Sequence, residues 1–162
     1  MPSIAFVGAG PTTLYALNAL LAHGVSGARI TVFEAQETAG RGSPYSPGWN
    51  DPAMLSNIAS VEIPPVTETL LAWLQARSGS EQRSMGVDLS GLHDRTFLPR
   101  VLLGRYFESQ FTVLVERLRA VGNDIEVRTC CRVVDAVNRP DGLELTITTP
   151  THGDTTKRLF DH

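Results

Sequence analysis

Cysteine is scarce in this 162-residue chain: there are only two, Cys130 and Cys131, and they are neighbours. Adjacent thiols cannot tie distant segments together, and no second pair completes a zinc site, so a disulfide scaffold and a zinc module are both excluded. The pair falls in an apolar stretch and reads as two reduced thiols on opposite faces of a strand. The four histidines, His23, His93, His152 and His162, show neither metal-ligand spacing nor a nucleophile partner. An excess of one charge is missing as well. The 14 basic residues are set against 17 acidic ones, and Arg77, Arg83, Arg95, Arg100 and Arg105 are interleaved with apolar residues and carboxylates, so no nucleic-acid surface is expected. Long apolar runs are also lacking. The N-terminal one is broken by Gly8, Gly10 and Pro11 and has neither a basic leader nor a small-residue cleavage site. It reads as neither a signal peptide nor a membrane span, and a cytoplasmic protein is the expectation.

What is present fits one domain, residues 1–162, with a sizeable core. Ser3 to Val7 is almost continuously apolar and ends in glycine, the pattern of a buried parallel strand. Pro11 suits the first turn of a helix, where its missing N–H has no partner to lose. Leu14, Leu17, Leu20 and Leu21 then recur at helical spacing until His23-Gly24. Arg29 to Glu34, RITVFE, is a second strand, rich in β-branched and aromatic residues and closed by a carboxylate. In this order the pieces predict a right-handed βαβ unit.

Regular pattern then fades into an irregular loop over about 36–65, long enough inside one domain to argue for function. A helix is predicted over Thr67–Ala76, a mobile polar surface loop over about 78–96, and a longer helix from Pro99 to Val121. Gly122-Asn123 stops that helix. The remainder, IEVRTCCRVVDAVNRP, LELTITTP and TTKRLFDH, carries turn signals at Asp141-Gly142 and His152-Gly153-Asp154 and predicts an antiparallel meander. The fold class is α/β: a Rossmann-like parallel sheet with flanking helices and an antiparallel β-meander.

Gly8-Ala9-Gly10-Pro11-Thr12-Thr13 begins like the dinucleotide fingerprint G-x-G-x-x-G, with Thr13 in the place of the third glycine. The first glycine permits the tight turn, the second lets backbone approach a pyrophosphate, and the helix start supplies unpaired N–H groups. The third mainly eases helix–strand packing, so Thr13 weakens packing more than phosphate chemistry; its hydroxyl has either helix carbonyls or a phosphate oxygen to bond. Glu34, 24 residues after Gly10, stands where an acid accepts hydrogen bonds from adenosine ribose hydroxyls and repels a 2′-phosphate. FAD or NAD is favoured over NADP there, with S-adenosylmethionine as a competitor. Tyr45, Trp49 and Trp73 read as core or loop anchors rather than stacking partners.

Gly40-Arg41-Gly42 followed by Pro44-Tyr45 resembles the second glycine element of the glutathione-reductase-like FAD-binding fold. More specifically, GAGPTTLYAL, VFEAQETAGRGSPYSP, LSNIASVEIPPVTETLLAWL, FLPRVLLGRYF and the closing meander resemble the bacterial FAD-NAD(P)-binding protein family, a relative of flavin-dependent monooxygenases. The resemblance implies that Gly8, Gly10, Pro11, Thr12 and Thr13 surround the pyrophosphate. It places Glu34 and Ala35 at the adenosine ribose and Gly40, Arg41 and Gly42 along the cofactor. Arg100, in a PRxxxGxY-like element completed by Gly104 and Tyr106, supplies charge near a phosphate; Val133 presents backbone to the adenine; Asn57 faces the flavin side.

In such folds the meander leads into another parallel strand with an ATG-like turn and, later, a Gly-Asp strand, and neither motif occurs here. The chain is therefore expected to be the N-terminal part of a longer flavin-dependent oxidoreductase, with NAD(P)H as reductant bound elsewhere, and to be inactive alone. The expected partners are a dinucleotide cofactor and an unidentified small-molecule substrate, with no membrane, and an open sheet edge invites homo-oligomers. The other reading is a non-enzymatic nucleotide-binding or protein-interaction module that retains the Rossmann frame.

Overall fold

The computed structural model describes residues 1–86, 91–149 and 155–162. Three strands form a parallel sheet in the order β1 (Ser3–Val7), β2 (Arg29–Phe33), β3 (Asp124–Arg128). Ile4 pairs with Ile30, and Ile30 with Ile125, so the register stacks like residues across the sheet. Side chains alternate between the faces of a strand, and two cores result. Ile4, Phe6, Ile30, Val32, Ile125 and Val127 meet the helices on one face. Phe33 and Ala5 point the other way, into a smaller cluster with Leu145, Ile147 and Phe160.

The helical layer is built on α1 (Pro11–Ala22) and α4 (Arg100–Ala120), with Leu14 and Leu17 packed among Leu102, Tyr106, Phe111 and Leu118. Between them in sequence lie two short helices, α2 (Leu70–Gln75) and α3 (Gly79–Ser84). The start expected at Thr67 moves to Leu70, because Thr67 gives its backbone N–H to the buried Gln110 at 3.0 Å while Thr69 caps the helix. The segment 78–96 is not irregular throughout. Ser78 and Glu81 bond reciprocally as a capping box and start α3, a local signal that no apolar run follows; residues 87–90 lie outside the described residues.

The opposite layer is the meander of β4 (Arg132–Arg139), β5 (Gly142–Thr148) and β6 (Thr155–Phe160), antiparallel in that order. Phe160 meets Phe33 edge to face at 5.9 Å and closes the smaller core. The turn expected at His152-Gly153-Asp154 falls outside the described residues. After β6, Asp161 and His162 run along β1, with Ala5 donating its N–H to the His162 carbonyl at 2.8 Å.

One expectation fails at the cysteines. The stretch IEVRTCCRVV is two strands, β3 of the parallel sheet and β4 of the meander, and the cysteines occupy the bend between them. Cys130 makes the corner with φ of 52°, a left-handed conformation adopted without a glycine. Its N–H bonds Gln36 O at 3.0 Å and that of Cys131 bonds Glu34 O at 2.8 Å, which fastens the corner to the end of β2.

Candidate functional site

At the carboxyl ends of β1 and β2, where the βα turn opens, lies a cleft of about 680 Å³. Ligands of open α/β sheets bind at this end. Gly8 ends β1 with φ of +86° and donates its N–H to Phe33 O at 2.8 Å, tying the turn to the neighbouring strand. Gly10 caps α1 and Pro11 occupies its first turn; among the described residues no side chain bonds the free N–H groups of that turn. These groups and the partial positive charge of the helix start face the cleft, an arrangement suited to a phosphate.

The second glycine element is wedged between this turn and α4. A Cβ on Gly42 would come within 2.9 Å of Pro11 Cδ and 3.2 Å of Gly10 Cα, so the two glycine segments meet backbone to backbone. On its other side, Gly40 lies against the α4 backbone at Glu108 and donates its N–H to Ala9 O at 2.8 Å. Arg41 pairs with Glu108 at 2.7 Å, locking the wedge in place. Nearer the start of α4, the backbone of Gly104 abuts the Tyr45 carbonyl, and Phe107 meets the Tyr45 ring edge to face at 5.2 Å. Tyr45 thereby becomes part of the cleft wall.

Glu34 is the carboxylate of the cleft and is only 8% exposed. One oxygen accepts the Ala9 N–H at 2.8 Å and the other the Gln36 N–H at 2.9 Å. Each oxygen has two lone pairs, so both keep acceptor capacity for hydroxyl donors. Of the anticipated site residues, Gly8, Gly10, Pro11, Thr12, Glu34, Ala35, Gly42 and Val133 share this cleft.

The others lie behind it or away from it. Thr13 turns inward and donates to Gly8 O, so its hydroxyl serves the turn. Gly40 and Arg41 form the wedge just described. Arg100 donates to Leu55 O at 3.3 Å at the α4 start, and Asn57 is exposed on the long loop. Trp49, Cys131 and Arg132 line the cleft without having been singled out as contacts. For Arg132 and Cys131 the available signal was their adjacency to Val133. Trp49, read from the sequence as a core or loop anchor, is instead exposed at the cleft, because its position depends on how the long loop is tied down. Trp73 is a core residue whose indole N–H bonds Ser109 at 3.0 Å. Among the described residues, no helix is long and apolar enough to cross a membrane.

Comparison with known proteins agrees with this geometry. The protein YdhS of Escherichia coli (strain K12), itself uncharacterized, is 47% identical over 135 residues, which are 83% of this chain and 25% of that protein. Among solved structures, Tmm from Pelagibacter sp. strain HTCC7211 superposes with a TM-score of 0.59 at 21% identity, covering 99% of this chain and 34% of that one. The ornithine N-hydroxylase KtzI of Kutzneria sp. 744, solved with reduced FAD, NADP+ and L-ornithine, gives 0.52 at 17% identity, over 95% and 34%. At such identities the likeness shows a shared fold. The chain spans about a quarter of the curated relative and a third of the two structures. A family model described as FAD-NAD(P)-binding matches residues 5–159, nearly the whole sequence, and the chain belongs to the FAD-NAD(P)-binding family.

Proposed function

We propose that this chain holds FAD, with the ADP half in the cleft at the β1–α1 turn, and is the nucleotide-binding part of a flavin-dependent oxidoreductase. The observation that carries the reading is the contact between the two glycine segments, 3.3 Å from a Cβ placed on Gly10 to Gly42 Cα. A strand-to-helix turn serving architecture alone does not need a second glycine loop pressed against it. Here the pair leaves backbone, rather than side chain, facing the cleft, which admits a pyrophosphate closely.

Gly8, Gly10 and the N–H groups around Thr12 receive the phosphates. Glu34 accepts from the ribose hydroxyls beside Ala35, and its charge disfavours a 2′-phosphate. Val133 offers backbone to the adenine edge. Thr13, Gly40 and Arg41 hold the turn from behind, while Arg100 at the α4 start lends charge toward a phosphate and Asn57 on the long loop serves the flavin side. Bound FAD supplies the redox chemistry through its isoalloxazine ring. Oxidation of an unidentified small molecule with NAD(P)H as reductant, as in a monooxygenase, is part of the proposal. Solved proteins that share the fold, an ornithine N-hydroxylase and an S-allyl-L-cysteine S-oxygenase, support it.

The test is to purify the protein under native conditions, denature it, and identify any released nucleotide against FAD, NAD and S-adenosylmethionine standards. FAD is the expected product. Release of S-adenosylmethionine or NAD alone would replace the proposal.

A further inference from the structure

Two cleft residues have flat side chains that nothing described engages. Trp49 is 68% exposed although it lines the cleft, and it takes part in none of the aromatic or cation–π pairs among the described residues. Arg132 is the cation of the cleft lining, and among the described residues no carboxylate pairs with it. The other tryptophan shows the contrast: Trp73 is buried, with the Arg77 guanidinium 4.8 Å above its ring.

Both line the cleft beside one strip of backbone, Glu34 to Gln36. Residues 34–36 leave β2 with their outward carbonyls taken by the β3–β4 corner, Glu34 O by Cys131 and Gln36 O by Cys130, and Arg132 follows directly on that side. Trp49 shares a second cavity of about 260 Å³ with Gln36 and Glu37, and the loop that carries it packs through Gly42 on the β1–α1 turn. The same strip carries Glu34, whose carboxylate is assigned above to the ribose. A nucleoside anchored by its ribose at Glu34 has Gln36, the indole and the guanidinium in the same cleft lining for its base.

We propose that Trp49 and Arg132 bracket the adenine ring of the bound nucleotide, the indole against one face and the guanidinium plane against the other. The proposal rests on the dinucleotide reading of the cleft and adds the residues that recognise the base. The chemistry suits the pair. An adenine has two apolar π faces, an exposed indole loses its contact with water by stacking, and a guanidinium stacks through its plane while its N–H groups stay solvated.

The test is a calorimetric titration of the cofactor-free protein with ADP, repeated with Trp49→Ala, Trp49→Phe, Arg132→Ala and Arg132→Lys, and paralleled by indole fluorescence. All four substitutions are on exposed side chains, so folding is checked by the unchanged thermal transition. ADP is expected to quench indole emission in the parent, and the quench is expected to vanish in Trp49→Phe. Trp49→Ala is expected to weaken ADP by roughly 5- to 100-fold, and Trp49→Phe is expected to recover most of that loss. Arg132→Lys keeps the charge but not the plane, and is expected to lose nearly as much as Arg132→Ala, about 2- to 5-fold. Parent protein that binds ADP with Trp49→Ala unchanged overturns the bracket and leaves the cleft reading intact. Full affinity in Arg132→Lys, falling steeply with salt, assigns Arg132 to a phosphate instead and also overturns it. A parent that binds no ADP overturns the bracket together with the dinucleotide reading.

Discussion

The hydroxyl of Thr13 donates to the carbonyl of Gly8 at 2.6 Å, spanning the tight turn between β1 and α1. The residue that departs from the glycine fingerprint is therefore a brace of that turn, engaged inside the protein and not with a ligand. Thr13→Val removes the hydroxyl at nearly constant volume and leaves a part-buried carbonyl unpaired, which costs about 1–2 kcal/mol in urea unfolding. Thr13→Ser keeps the donor and is expected to lose less. Thr13→Gly, which completes the fingerprint, is also destabilising by about 1 kcal/mol or more, because it adds helix-interior entropy to the lost bond. In all three, FAD affinity of the folded protein is expected to stay within about threefold of the parent, since no phosphate contact is removed. A tenfold affinity loss in Thr13→Val with little change in stability would show the hydroxyl on the phosphate.

The three glycines of the cleft predict a rank order under substitution by alanine. At Gly8 the backbone is left-handed, φ +86°, but a Cβ meets nothing within 4 Å, so the cost is conformational and about 1–2 kcal/mol. Gly10 has an extended backbone and a Cβ contact of 3.3 Å to Gly42 Cα, a tight fit without conformational strain. Gly42 combines both penalties, φ of +73° with a Cβ 2.9 Å from Pro11 Cδ. Gly42→Ala is thus the most destabilising, by roughly 2–4 kcal/mol, and also pushes the two glycine segments apart at the cleft. Chemical unfolding of the three variants gives the order directly.

Tyr106 gives the protein an alkaline limit. Its ring is fully buried, its hydroxyl donates to Glu68 O at 2.7 Å, and burial above all pushes its pKa up to about 12. The folded state thus holds the proton more tightly than the unfolded chain does, where the value is near 10. The resulting stability is complete below about pH 10 and is lost as pH rises from about 10 toward 12. By about pH 11 the loss is about 1.4 kcal/mol, and it is expected to be missing in Tyr106→Phe. Urea unfolding of both proteins between about pH 9 and 11 measures the difference, and parallel pH profiles would contradict the assignment.

The sequence made the first βαβ unit legible because its signals are local: an apolar strand, a glycine turn, a proline in the first helical turn, and a carboxylate closing the next strand. The long helix was legible for the same reason, its apolar face repeating over five turns' worth of residues before Gly122. The division of IEVRTCCRVV into a parallel and an antiparallel strand was not. Its corner is made by Cys130 in a left-handed conformation, and no glycine marks it. The path of residues 36–65 was hidden as well, since it is set by distant bonds such as Ser56 N–H to Leu98 O at 2.8 Å and Tyr15 O–H to Pro64 O at 2.7 Å. That path is what carries Trp49 into the cleft. Arg41 illustrates the same limit, because its partner Glu108 lies 67 residues away in the chain.

In the proposed function, the cleft between the two glycine segments and Glu34 receives the ADP half of FAD. Calorimetric titration of the cofactor-free protein with FAD, followed by competition with ADP and with riboflavin, tests it most directly. Saturable binding at a single site is expected, displaced by ADP and unaffected by riboflavin. Absence of FAD binding, or displacement by riboflavin and not by ADP, would contradict it.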